Sequence, residues 1–279
     1  MLEARRSDRP QFLWLHYFDP HDPYAAPPEH GIFEPRTSDT IDGDRRKTMR
    51  DGRGRDLPWE RRGEIFSDEE ERFLVAQYDA EIRYADAQIG RVLSWLSDAR
   101  WVDESLILLS SDHGERLGEG DKWDHCWSLH QSEMHVPLLA RLRGRPLAEL
   151  RRAEFAASTL DLVPTVLDSL GLAADPAGDG ESLLALAEHP QRARERVVQT
   201  SWQDQRLAMR GRWKLVVDDT GAAHLFEVAV DPEQRLDRAS EHPEIVAELS
   251  AGLRATAGGR VRAQSEEVLT RLRALGYLE

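Results

Sequence analysis

The sequence predicts an α/β fold, a mostly parallel sheet flanked by helices and followed by a small antiparallel sheet with a terminal helix. Three observations carry that expectation. The apolar run Leu106–Ser111 stops abruptly at Asp112-His113-Gly114-Glu115, the pattern of a buried strand that delivers polar side chains to the carboxyl edge of a sheet. A long amphipathic segment leads into it, with Phe73, Leu74, Tyr78, Ile82, Ala85, Ile89, Leu93 and Leu96 at three- and four-residue steps. Short β-rich runs separated by turn residues then recur between Val197 and Val228, as in a small antiparallel sheet.

Each element follows from local chemistry. Phe12–Phe18 reads as a strand whose exit, Asp19-Pro20-His21-Asp22-Pro23-Tyr24, is stiffened by two prolines that hold His21 in place. His16, within that strand, is expected to be buried and structural. Residues 25–66 have no period and are rich in Pro, Gly, Arg and Asp, a lid-like surface excursion whose charges largely offset one another. Ser67-Asp68-Glu69-Glu70 is a capping box that opens the long helix, which ends near Asp98 and crosses over to the Leu106 strand. Its carboxylates Asp79, Glu81 and Asp86 read as a solvated face. Residues 158–170 form a second helix closed by Gly171. Asp175–Gly180 is a turn-rich connector, followed by strands at Val197–Thr200, Leu207–Arg210, Trp213–Val217 and His224–Val228 and helices near 243–254 and 265–275. The expected division is 1–190, an α/β domain, and 191–279, a small α+β subdomain.

Composition narrows the function. Among 279 residues, 37 basic and 51 acidic side chains give a formal charge of -14, which argues against nucleic acid or an anionic membrane as the main partner. Cys126 is the single cysteine, so no intrachain disulfide framework is possible. The opening Met1–Arg9 lacks an apolar leader, and as written the chain is expected to stay in the cytoplasm.

Further motifs recur in a fixed order. Gly118-Glu119, His125, Ser128-Leu129 and Val136-Pro137-Leu138-Leu139 follow the Asp112 turn. Asp161-Leu162-Val163-Pro164-Thr165, Asp179-Gly180-Glu181-Ser182, Arg210–Leu215, Leu225-Phe226-Glu227 with Asp231-Pro232-Glu233, and Leu272–Leu278 come after them. With His21 and Asp112-His113, this ordered set resembles the sulfatase family of the alkaline-phosphatase-like superfamily, over nearly the whole chain. The resemblance is to the C-terminal portion of a sulfatase, so the sheet expected is a partial alkaline-phosphatase-like one.

The resemblance implies roles. Asp112 and His113 match the second pair of ligands to a divalent metal, usually calcium. His21 matches the histidine that contacts the sulfate. His125, thirteen positions after Asp112, stands where relatives place a lysine or histidine that binds the sulfate or assists the leaving group, and Lys122 is an off-register alternative for that cationic role. Gly120 departs from the histidine many relatives carry there. On its own, Asp112-His113 also reads as a strand-end turn in which the aspartate caps the next segment and Gly114 takes a positive φ.

Two parts of the family pattern are missing from these residues. Sulfatases carry, earlier in the chain, a pair of metal-binding aspartates and a Cys/Ser-x-Pro/Ala-x-Arg motif oxidised to formylglycine, the nucleophile. Cys126 is followed by Trp127, Ser128, Leu129 and His130, so neither proline nor arginine stands at the required offset. The expected activity is metal-assisted hydrolysis of a small-molecule or carbohydrate sulfate monoester, with no turnover by this polypeptide alone. Two alternatives stay open. One is a non-catalytic remnant or half-chain that folds with a partner carrying the missing N-terminal half; the other is a phosphoester or phosphonate hydrolase on the same plan.

Overall fold

The computed structural model describes residues 11–36, 66–120, 122–125, 128–144, 155–174 and 178–253. Most of the 25–66 excursion, Cys126, the 265–275 helix and the Leu272–Leu278 motif lie outside these residues.

Helix α1, Asp68–Asp98, is the long crossover helix. Its N-terminus is closed by the expected capping box, the Ser67 side chain accepting from the Glu70 N–H while Glu70 accepts from the Ser67 N–H, a device that contributes about 1 kcal/mol. Strand β1, Ile107–Ser110, follows and pairs antiparallel with β4, Leu138–Arg141. Between them stand β2, Arg116–Leu117, and β3, Trp123–Asp124, paired as a hairpin, and the short helix α2, Gln131–Met134. Helices α3, Leu162–Ser169, α4, Leu183–Glu188, and α5, Pro190–Glu195, come next, and Gly171 takes φ +69° behind α3.

Strands β5, Val198–Trp202, β6, Gln205–Arg210, β7, Trp213–Val217, and β8, Ala223–Glu227, form an antiparallel meander in that order. Helix α6, Pro243–Gly252, packs on it. Leu249 joins Ala208, Leu215, Val217 and Leu225 in one core, with Ile245 and Val246 against it. A second core gathers Tyr24, Phe73, Leu74 and Trp123. Each fully buried large side chain contributes roughly 1.5–3 kcal/mol, so Tyr24 and Trp123 fasten the His21 turn and the β2–β3 hairpin to α1.

Two expectations are corrected. Phe12–Phe18 has no ladder partner among the described residues, and Phe12 and Trp14 are 76% and 72% exposed. His16 is accordingly exposed, not buried. An apolar run specifies a strand only where a neighbouring backbone is present to receive its N–H and C=O groups. The described pairings are all antiparallel, and every residue of β1 is only half-buried, since β1 is covered on one side by β4 alone among these residues. None of the helices described is long and apolar enough to cross a membrane.

Candidate active site

Three segments bring imidazoles together. His21 comes from the turn after Phe18, His113 from the end of β1, and His125 from the residue after β3. The rings of His113 and His125 stack at 4.1 Å between centroids, and His21 meets them edge-on at 6.0 and 5.1 Å. One nitrogen of each lies within 4.8 Å of the others. Sequence alone named these residues separately; the fold makes them one group.

Each ring is oriented by its own turn. The His21 N–H donates to the Phe18 carbonyl at 3.0 Å, and its Nδ1 lies 2.7 Å from the Asp22 carbonyl. The Nδ1 of His113 lies 3.1 Å from the Gly114 carbonyl. A carbonyl only accepts, so both rings carry the proton on Nδ1 and present Nε2. Asp112 Oδ1 accepts from the His113 N–H at 3.0 Å, while its Oδ2 stands 3.9 Å from His113 Nε2 and the side chain is 59% exposed. Lys122 is half-buried in the β2–β3 hairpin, where its carbonyl accepts from the Gly118 N–H.

Helix α1 supplies support that the sequence reading placed on a solvated face. Glu81 is 3% exposed and accepts from the Ala25 N–H at 2.6 Å. Burial, and then a hydrogen bond with Asp19, push its carboxyl up to about 7, against the lowering effect of the Ala25 N–H. Glu81 therefore clips both ends of the His21 turn. The signal was present: Tyr78, Glu81 and Ala85 lie at helical steps on one apolar face. From the same face Tyr78, pushed up to about 12 by burial and then by Glu115, packs on Tyr24, whose hydroxyl donates to Glu115.

Behind the imidazoles lies a buried polar network. Gly114 N–H donates to the Glu133 carbonyl at 2.8 Å. The Glu133 carboxylate forms an ion pair with Arg116, whose Nε lies 3.1 Å away, and accepts from the Ser128 hydroxyl at 3.2 Å. Burial holds the Arg116 guanidinium below its usual range. From β7, fully buried Lys214 donates to Gln131 at 3.1 Å and Gln234 at 3.0 Å. The meander is thus tied to α2, and α2 to the Asp112 turn. A lone strand lysine carries no sequence signal for this.

Burial lowers the Lys214 pKa from 10.5 to about 7, the Glu133 charge opposing and Arg116 adding to the shift. The folded state therefore binds fewer protons than the unfolded chain between pH 7 and about 10, so stability rises with pH across that window. Between pH 7 and 9 the gain is about 2 kcal/mol. Urea unfolding at both values reads it, and Lys214→Met abolishes the difference. An unchanged slope in that variant refutes the assignment.

Comparison with known proteins gives a consistent answer. The family model described as Sulfatase matches residues 1–172. Arylsulfatase K of Mus musculus is 27% identical over 206 residues, covering 68% of this chain and 36% of that protein. Choline-sulfatase of Rhizobium meliloti (strain 1021) is 27% identical over 259 residues, covering 85% and 48%. The chain thus spans half or less of the length of these curated relatives. Among solved structures, the phosphonate monoester hydrolase of Agrobacterium radiobacter superposes with a TM-score of 0.55 at 24% identity, covering 76% of this chain and 43% of that one. The fold is alkaline-phosphatase-like.

Proposed function

Since the chain belongs to the sulfatase family of sulfuric ester hydrolases, we propose that it carries the substrate-facing part of a site for hydrolysis of a sulfate monoester. The convergence of His21, His113 and His125 from three separated segments supports this most directly. In this reading residues 1–190 are the α/β part of the domain and 191–279 a C-terminal subdomain that braces it.

The chemistry divides among the residues. A tetrahedral sulfuryl group needs donors on its non-bridging oxygens and a proton for the leaving oxygen. Protonated at Nε2, His21 donates to a sulfate oxygen, and His125 donates to a second oxygen or hands its proton to the leaving alkoxide. Glu81 and Asp19 keep His21 in register through the turn. Lys122 is the second candidate for the His125 role.

A divalent cation belongs to the family's chemistry, and Asp112 with His113 would hold it. When bound, such an ion neutralises charge on the ester oxygens. Of this pair, Asp112 offers oxygen and His113 a nitrogen, a softer donor that suits a borderline ion better than calcium, which takes six to eight oxygens. The formylglycine that the family carries is not encoded within these 279 residues, where no Cys/Ser-x-Pro/Ala-x-Arg motif occurs.

The expected result is that the 279-residue polypeptide alone does not hydrolyse 4-nitrophenyl sulfate. Joined to an N-terminal segment that carries the aspartate pair and the Cys/Ser-x-Pro/Ala-x-Arg motif, it does, and His21→Ala and His125→Ala each lower kcat/KM by about 100-fold, the loss expected for one oxyanion donor. Turnover by the isolated chain, or variants with wild-type kcat/KM, refutes the reading. A second reading, a half-chain completed by a partner segment, is favoured by the exposed apolar strip Phe12–Leu15. It predicts self-association of the isolated chain in sedimentation.

A further inference from the structure

We infer that His21, His113 and His125 form a binding site for a borderline transition cation, zinc or cobalt(II), and that the bound ion excludes an oxyanion from the same imidazoles. The site is a property of these three side chains and goes beyond the ester reading, standing whether or not that reading holds.

Donor type is the first argument. Three nitrogens, one per ring, lie within 4.8 Å of one another, and nitrogen-rich sites select zinc, cobalt and copper over calcium and magnesium. Ring orientation is the second. His21 and His113 each direct Nδ1 at a backbone carbonyl, of Asp22 at 2.7 Å and Gly114 at 3.1 Å. That is the outer hydrogen bond that fixes the tautomer of a metal-binding histidine and leaves the Nε2 lone pair free. In this tautomer Nε2 is an acceptor, matched to a cation and unable to donate to an anion until it is protonated.

Reach is the third argument. At a Zn–N distance of about 2.1 Å, tetrahedral ligand nitrogens stand ~3.4 Å apart. Closing from 4.8 Å asks each nitrogen to move by roughly 0.8 Å, and asks the stacked His113 and His125 rings, 21° from parallel, to turn about their side-chain torsions until both lone pairs meet the ion. Asp112, with Oδ2 3.9 Å from His113 Nε2 and largely exposed, is placed to add a fourth ligand. A ring that ligates through Nε2 has no N–H left there, so zinc and an ester oxyanion compete for His21 and His125.

Titration of the purified full chain with zinc against a chromogenic chelator tests this, together with the visible spectrum of the cobalt(II) form. One equivalent binds, and cobalt gives the intense bands of a four- or five-coordinate ion. His125→Gln and His21→Ala each weaken zinc binding by at least ~10-fold, whereas His224→Ala, whose ring lies between Asp218 and Asp237 on the meander, leaves it unchanged. Calcium in excess does not displace the ion. A wild-type cobalt spectrum of the pale six-coordinate type, undiminished affinity in both His21 and His125 variants, or displacement by calcium overturns the inference. The spectrum is read on wild-type protein, so a variant that fails to fold does not decide the outcome.

Discussion

Glu133→Ala is expected to destabilise the protein by about 3–5 kcal/mol, the range for removing one partner of a buried ion pair. Arg116 and Glu133 are 10% and 4% exposed at the side chain, so the guanidinium left behind has little water to turn to. Burial already works against its charge, and Glu133 is the principal opposing influence. The Ser128 hydroxyl and N–H lose an acceptor in the same substitution. Lys214 loses the carboxylate that favours its charged form. Glu133→Gln keeps the shape and one acceptor oxygen, and is expected to lose about half as much. Urea unfolding of the three proteins at pH 7 measures both. A loss under 1 kcal/mol in Glu133→Ala means that Arg116 reaches solvent in the native state, and that the network is not what joins α2 to the Asp112 turn.

How far the sequence reaches is clear from particular residues. Helix α1 was legible to its ends, because a capping box and a three-and-four apolar period are local signals. The meander was legible because turn residues punctuate it, and β7 coincides with the Trp213–Val217 run. The apolar run Phe12–Phe18 predicts a strand that the described residues do not form, because the run does not encode whether a partner strand is present. His21, His113 and His125 were each found by resemblance, but their convergence at 4.8 Å depends on how the hairpin and the turn pack on α1. The charge of Glu81 alone points to solvent, whereas its helical steps from Tyr78 and Ala85 put it on the apolar face where it is buried. Lys214 was invisible as a linker, because what it holds, Gln131 and Gln234, lies 83 residues before it and 20 residues after it.

Gly114→Ala is expected to cost about 3 kcal/mol or more and to open the imidazole group. The reason is close approach, not the positive φ that the bare motif suggested: a Cβ there would stand 2.0 Å from the Ser132 carbonyl oxygen and 3.2 Å from its carbon. Both are backbone atoms, so no side chain can swing aside. Helix α2 cannot retreat either, since its far side is held by Lys214 on Gln131 and by the Gln131 N–H on Gln234 at 2.7 Å. The Asp112 turn must therefore move, breaking the Gly114 N–H bond to the Glu133 carbonyl and the His113 bond to the Gly114 carbonyl. Gly90→Ala, in α1 where an added Cβ meets nothing within 4 Å, should have the opposite sign and stabilise by up to ~1 kcal/mol. The pair separates wedging from general intolerance of substitution. If Gly114→Ala costs under 1 kcal/mol while zinc affinity is retained, the turn is not wedged against α2. Loss of stability and of zinc affinity together places the imidazole geometry under the control of α2, and through Lys214 under that of the meander.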